Sequence, residues 1–477
     1  MKKVFLKPAK VALDLGDGSE RAQYVNQDYI LRKLGRPHRC VNIMYTYYPK
    51  DKEWPARISE ACKDMNVSFA WDYPYDDYFP YRADGEPFNQ MRDIRRHGQD
   101  VLLTLTIDCS LGDDELRKIA KELKPFGRMK IRINHECVGD WFTHNKRFTH
   151  AEIADFFIRF HNIIKEEAPN VSTVFCAGMM TDIEIEEDGK KKTVRRVDSE
   201  EEYMKVYEAA DVWSADKYIA LHYGWPYNIA EKDGEGHCHQ SVDETYSWFK
   251  ELAQYLEKKT GRSVLTSAEF NADGDVTGPF HQGDPVVRFL KKMKEEDMDF
   301  LKAISLYQFR DKGRLGLEIE DPNNPDVGIE QPLLKEYKAM LNDPFFSPLE
   351  EKGEDVVFPA STRWGSSEDA EGIVTTLTFE KTPEFCEVSC DENKAMMINF
   401  AGMWFYKAEG VSSIDLMSYF FENPLEGKKD IDVSFYVTPV NGENIDDGSL
   451  DWNMNYRGTI ESEPKFRIRY EVPALVE

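Results

Sequence analysis

The chain has 477 residues, and its 61 Lys and Arg stand against 87 Asp and Glu for a formal charge of −26. That balance speaks against nucleic acid, because phosphate affinity rests on clustered basic side chains, and against an anionic membrane surface. A content of 41% hydrophobic and 13% aromatic residues supplies a large core and excludes a disordered tail protein.

In chain order, the N-terminus MKKVFLKPAK begins basic but has no uninterrupted apolar segment, so no signal peptide is read. A cytoplasmic location is the expectation, with secretion of a chain trimmed of its leader as the alternative. No stretch reaches the roughly 18 apolar residues of a membrane-spanning helix. Between 40 and 345, eight short apolar runs recur: 40–48, 66–73, 100–107, 129–136, 171–178, 218–225, 263–270 and 302–309. Each starts nearly continuously apolar, as a parallel strand covered on both faces should.

Helical patterns fall between these runs. Leu116, Ile119, Ala120 and Leu123 repeat at helical spacing, and Ile153, Phe156, Phe157, Phe160, Ile163 and Ile164 draw one apolar stripe. Ser241 with Glu244 reads as a capping box, and Asp284–Pro285 as the N-cap and first turn of a later helix. Eight strands alternating with helices over about 300 residues predict a (β/α)8 barrel. A doubly wound sheet is the competitor, but no glycine-rich phosphate loop follows the first strand. Residues 182–203 are a charged insertion that reads as a solvated hairpin, and 321–332 reads as a loop.

From about residue 350 the runs lose their helices and are joined by Gly, Asn and Asp turns, which predicts an all-β sandwich. The expected division is a barrel over 1–348 and an accessory sandwich over 349–477. The eight cysteines show no CxxC pair and are expected to be reduced thiols, mostly buried.

Working residues in such a barrel project from the C-terminal ends of strands. The fourth run ends in RINHECVGDWF, with Arg132, His135, Glu136, Trp141 and Phe142; the seventh ends in SAEF, with Glu269. Carboxylates on strands four and seven face each other across the mouth, which suits one as proton donor and the other as nucleophile. Taken alone, Glu136 could equally be a structural ion-pair partner of Arg132. Trp141 and Phe142 offer flat faces to a sugar ring. The second run ends in an aromatic, acidic segment containing Asp72, where hydroxyl-binding carboxylates interleave with rings, although a loop packed on the rim would have the same composition.

The string Arg132-Ile-Asn-His135-Glu136-Cys-Val-Gly139-Asp-Trp141-Phe142 resembles the acid/base motif of glycoside hydrolase family 26 in clan A. The resemblance covers about 20–345. It implies Glu136 as general acid/base and Glu269 as nucleophile of a retaining β-glycosidase, without cofactor, acting on a neutral oligo- or polysaccharide of β-mannan or β-xylan type. It also implies that Tyr223, on strand six, holds the nucleophile; Trp225 beside it offers a face for sugar stacking or for packing at the strand end. Where the clan carries Trp on strand eight, this chain has Tyr307, Gln308 and Arg310; Arg310 is a candidate reader of a carboxylate-bearing sugar.

Two other classes of enzyme lack their motifs here. A catalytic metal finds no HExxH or paired-cysteine spacing, since position 139 is Gly, and serine hydrolysis finds no GxSxG elbow. A glycan-binding barrel without turnover is the remaining alternative, because fold does not dictate function.

Overall fold

The computed structural model describes residues 1–18, 23–49, 76–77, 87–139, 147–224, 228–230, 240–273, 281–312, 316–364, 370–438, 440–444 and 456–472. Eight parallel strands close a barrel: β1 (Ala12–Gly16), β2 (Cys40–Tyr47), β3 (Asp100–Ile107), β4 (Met129–Ile133), β5 (Val171–Cys176), β6 (Val212–Ile219), β7 (Leu265–Ala272) and β8 (Ala303–Leu306). All neighbour pairs are parallel, with register shifts in the β6–β7 and β7–β8 pairs, and β8 and β2 both pair with β1 to complete the ring. A helix follows every strand, from Gln27–Leu34 after β1 to Leu333–Leu341 after β8.

The strands are largely buried on both faces because the helices cover the outside while side chains fill the lumen. β3, for example, is buried along all of its length. The helix His150–Glu167 presents Phe156, Phe157, Phe160 and Ile164 to that shell, and Val242–Thr260 opens with the Ser241–Glu244 capping box. The helix Gly283–Glu295 starts one residue before the expected Asp284 cap. None of the described helices is long and apolar enough to cross a membrane.

Three expectations need correction. The first barrel strand is Ala12–Gly16, which the apolar-run reading passed over; the run at 66–73 lies outside the described residues. Strand six is Val212–Ile219, six residues earlier than read, because its inward-facing polar residues broke the apolar run. The loop expected at 321–332 is largely a strand, Asn324–Glu330, pairing antiparallel with Glu318–Asp321. The charged insertion is a hairpin, Met180–Glu187 against Lys190–Val197, as expected.

The C-terminal region is a sandwich. One antiparallel sheet contains Ala360–Trp364, Glu371–Phe379, Met396–Phe400 and Lys429–Val437; a smaller one contains Phe385–Ser389 and Lys465–Arg469. Ile373, Phe400, Val433, Phe435, Cys386 and Val388 fill the space between them. The boundary at 348/349 also needs amending, because Lys2–Lys7 pairs with both Leu349–Asp355 and Glu371–Phe379. The sandwich is therefore built from both ends of the chain.

It packs on the floor of the barrel, where strands begin. The Trp364 indole donates to Gly98 O at 2.7 Å, and the Tyr456 hydroxyl accepts from Arg128 N at 3.2 Å. Gly127 is required there: at φ +70°, a Cβ would lie 1.2 Å from the Tyr456 hydroxyl.

Candidate active site

At the opposite end of the barrel, alternation along each strand sends every second side chain into the lumen. β4 delivers Arg132, β6 delivers Asp216 and Tyr218, and β7 delivers Glu269. A bulge between Ser214 and Asp216 sets Asp216 directly opposite Glu269 on the neighbouring strand. Lys217, between the two inward residues, points out over the Trp248 ring, and burial pulls its ammonium down to about 8.

The chain leaves β4 through a strained turn. Asn134 and Glu136 both adopt left-handed backbone, at φ 58° and 43°, a conformation uncommon outside glycine and one that clusters at functional sites. Asn134 fastens the turn: its side-chain oxygen accepts from Ile107 N at 2.7 Å and its own N–H donates to Leu105 O at 3.0 Å. His135 and Glu136 are thereby held over the lumen.

Arg132 is the centre of charge. Its Nη1 donates to Glu269 Oε1 at 2.7 Å, and its Nη2 donates to Asp216 Oδ2 and, at 3.3 Å, to the Cys176 sulfur. Burial works against its charge, but Asp216 and Glu269 hold the guanidinium well above its usual range. The other Glu269 oxygen accepts from the Tyr218 hydroxyl at 3.0 Å. Both oxygens of Glu269 are therefore oriented, and the carboxyl is 4% exposed.

His135 Nδ1 approaches Glu269 Oε1 to 3.2 Å, although the pair is not aligned as a hydrogen bond. Burial, with Arg132 beside it, pushes the imidazole well below its usual value, so it is neutral. Asp216 moves the other way. Burial raises its carboxyl, and Glu269 and Glu136 add to the rise against the pull of Arg132. A side-chain hydrogen bond between Asp216 and Glu136 works in the same upward direction. Glu136 is the most accessible of these carboxylates, with 17% of its side chain exposed.

His135, Glu136, Asp216 and Glu269 each bring one oxygen or nitrogen within 4.8 Å of the others, and among the described residues they form the single such group. In composition this set could ligate a cation. Arg132 already supplies a fixed positive charge between Asp216 and Glu269, so a metal ion would have to share that space with a guanidinium.

Of the residues expected from sequence, the structure thus brings Arg132, His135, Glu136 and Glu269 together. Tyr307 stands nearby, 4% exposed, its ring edge-on to Tyr218 at 6.4 Å. Arg310 does not join them. It is 5% exposed and engaged with Glu318, at 2.8 and 3.1 Å, and with Asp326 O at 3.1 Å, as a structural ion-pair partner. Tyr223 lies beyond the end of β6, in the short strand His222–Gly224; Tyr218 is the tyrosine on Glu269. The side chain of Tyr223, and Asp72, Trp141, Phe142 and Trp225, lie outside the described residues. Asp216, Tyr218 and Cys176 went unnoticed in the sequence. The one available signal was spacing: in VWSADKYI the alternate positions 214, 216 and 218 are polar while 213, 215 and 219 are apolar.

No protein-family model and no curated protein matches the chain. Among solved structures it is similar to a modular endo-β-1,4-mannanase of glycoside hydrolase family 26 from Cellulomonas fimi, at 12% identity and TM-score 0.41 over 94% of this chain and 93% of that one. It is also similar to an α-L-arabinofuranosidase from Thermotoga maritima, at 12% and 0.43 over 91% and 98%. A monomeric β-xylosidase from Caulobacter crescentus gives 9% and 0.43 over 92% and 99%.

Proposed function

We propose that the protein is a retaining glycoside hydrolase that cleaves β-mannan- or β-xylan-type glycans from within the polymer. The observation that carries this reading is the approach of Glu136 and Glu269, whose nearest carboxylate oxygens lie within 4.8 Å. Retaining enzymes hold their two carboxyls about 5–5.5 Å apart, whereas inverting ones leave about 6.5–9.5 Å for a water.

The roles follow from the surroundings. Glu269 has both oxygens oriented by Arg132 and Tyr218, which suits a nucleophile that must meet the anomeric carbon in line. Glu136 is the more exposed of the two and sits beside Asp216, whose carboxyl is raised by burial and by its carboxylate neighbours, which suits the group that protonates the departing oxygen. Attack by Glu269 forms a glycosyl ester while Glu136 gives up its proton; Glu136 then takes a proton from water, whose oxygen displaces Glu269. Neutral His135, at 3.2 Å from Glu269, adds no charge to this exchange.

The experiment is turnover of aryl β-glycosides and of β-mannan, β-xylan and β-glucan, with product length read by chromatography and with two variants rescued by azide. Glu269→Ala is expected to lose at least about 10³-fold and to yield an α-glycosyl azide. Glu136→Ala is expected to lose about 10²–10⁴-fold and to yield the β-azide. Binding of the polymers without turnover in the wild-type protein would replace this reading with a glycan-binding barrel.

A further inference from the structure

A cavity of about 30 Å³ adjoins the carboxylate cluster, lined by Glu136, Asp216, Cys176, Val138, Met179 and Asp198 among others. Glu269 is not among the described residues that line it. Met179 and Asp198 face each other across the root of the charged hairpin, one step below its first register pair, Met180 and Val197. That root is fixed: Asp198 N donates to Met179 O at 2.8 Å, the Thr181 hydroxyl donates to Asp198 Oδ1 at 2.5 Å, and Arg195 ties the hairpin to Glu251 at 2.9 Å. Gly178 completes the wall, since a Cβ there would meet Val138 at 2.7 Å.

We infer that this cavity is a leaving-sugar pocket that receives the hydroxymethyl arm of a hexose, so that the enzyme prefers hexosyl over pentosyl leaving groups. The inference rests on the glycosidase reading above. Under that reading the bond that breaks lies between the two glutamates, with the glycone against Glu269 and the leaving sugar against Glu136. A cavity walled by Glu136 and not by Glu269 is on the leaving-sugar side.

Size and chemistry select the arm. About 30 Å³ has room for about two water-sized groups, and a hydroxymethyl arm has two non-hydrogen atoms. Val138 and Met179 give its carbon an apolar wall, and Asp198 gives its hydroxyl an acceptor. A pentose lacks the arm and would leave the Asp198 side of the pocket without its partner. A missing group of this size in a fitted pocket costs on the order of 10-fold or more in kcat/KM.

The test uses two disaccharides that share one glycone, chosen from the aryl-glycoside panel, and carry either glucose or xylose as the leaving sugar. These sugars differ only in the hydroxymethyl arm. Wild-type protein is expected to cleave the glucosyl compound at least about tenfold faster in kcat/KM, and Val138→Ile or Asp198→Ala is expected to bring that ratio towards one. Aryl-glycoside turnover with a wild-type ratio near one, or a preference for xylose, overturns the pocket and leaves the glycosidase reading standing. Absence of turnover on every aryl glycoside and on every polymer of the panel overturns both.

Discussion

The barrel carries a buried ion network at each end of its strands, built with opposite stoichiometry. At the floor, Asp100 is one anion between two cations, with Arg95 at 2.8 Å and Arg128 at 2.5 Å, and the Arg95 guanidinium lies over the Tyr456 ring of the sandwich. At the mouth, Arg132 is one cation between Asp216 and Glu269, with Glu136 as a third carboxylate. Burial alone would raise Asp100, but Arg128 and Arg95 bring it below its usual value. Burial raises Asp216, and the surplus of carboxylates keeps it raised. An anion outnumbered by cations is locked in one charge state. Carboxylates that outnumber their cation favour keeping a proton among them, and a shared proton is what acid–base chemistry moves.

Removing the minority partner from each network tests this contrast most severely. Arg132→Met leaves Glu269 without its oriented donor and is expected to cost at least about 10²–10³-fold in kcat/KM, together with stability. Asp100→Asn leaves Arg95 and Arg128 buried without their anion and is expected to cost about 3–5 kcal/mol in urea unfolding. Turnover by its folded fraction should stay within about twofold. If Asp100→Asn silences folded protein, the floor is not separate from the mouth and the comparison breaks.

Dependence on pH is expected to carry opposite signs. Asp100, lowered on folding, contributes stability that is complete above the unfolded value of about 3.9 and is lost as pH falls through the folded value. Asp216, raised on folding, contributes stability that is complete below about 3.9 and is lost as pH rises through its folded value. Asp100→Asn should therefore flatten the acid limb of a urea-midpoint profile. Asp216→Asn should remove the decline on the rising side while leaving the acid limb in place.

The same contrast explains what could be read from the sequence. Strands β3, β4, β5 and β7 announce themselves because each is an apolar-rich run that follows a helical pattern, even though β4 carries Lys130 and Arg132 and β7 carries Glu269. β1 and β6 were missed or displaced because lumen-facing polar residues interrupt them: Asp14, which pairs with Arg39 at 2.6 Å, in β1, and Ser214, Asp216 and Tyr218 in β6. Glu136 and Glu269 were nonetheless found, because each ends a well-marked run. Asp216 was not, because one carboxylate in an apparent helix–strand connection has no signature until the bulge at Ser214 sets it against Glu269. Arg310 misled for the complementary reason: its partner Glu318 lies in the segment between the last apolar run and the expected loop, and only the pairing of Arg310–Asp311 with Glu318–Ile319 brings them together.

Two tyrosine hydroxyls give the finest version of the comparison, since Tyr→Phe changes one oxygen and little packing. Tyr218 donates to Glu269 at the mouth, and a hydrogen bond to a charged group contributes about 1.5–3 kcal/mol. Tyr218→Phe is therefore expected to lower kcat/KM by about 10- to 150-fold, since about 1.4 kcal/mol is tenfold. Its unfolding midpoint should change little, because the lost partner is a carboxylate that Arg132 still holds. Tyr456 accepts from Arg128 N at the floor. Tyr456→Phe leaves that buried N–H without its acceptor, for about 1–3 kcal/mol of stability, and should leave turnover unchanged. Swapped results, with stability lost at 218 and activity at 456, would mean that the sandwich acts through the floor on the chemistry above it.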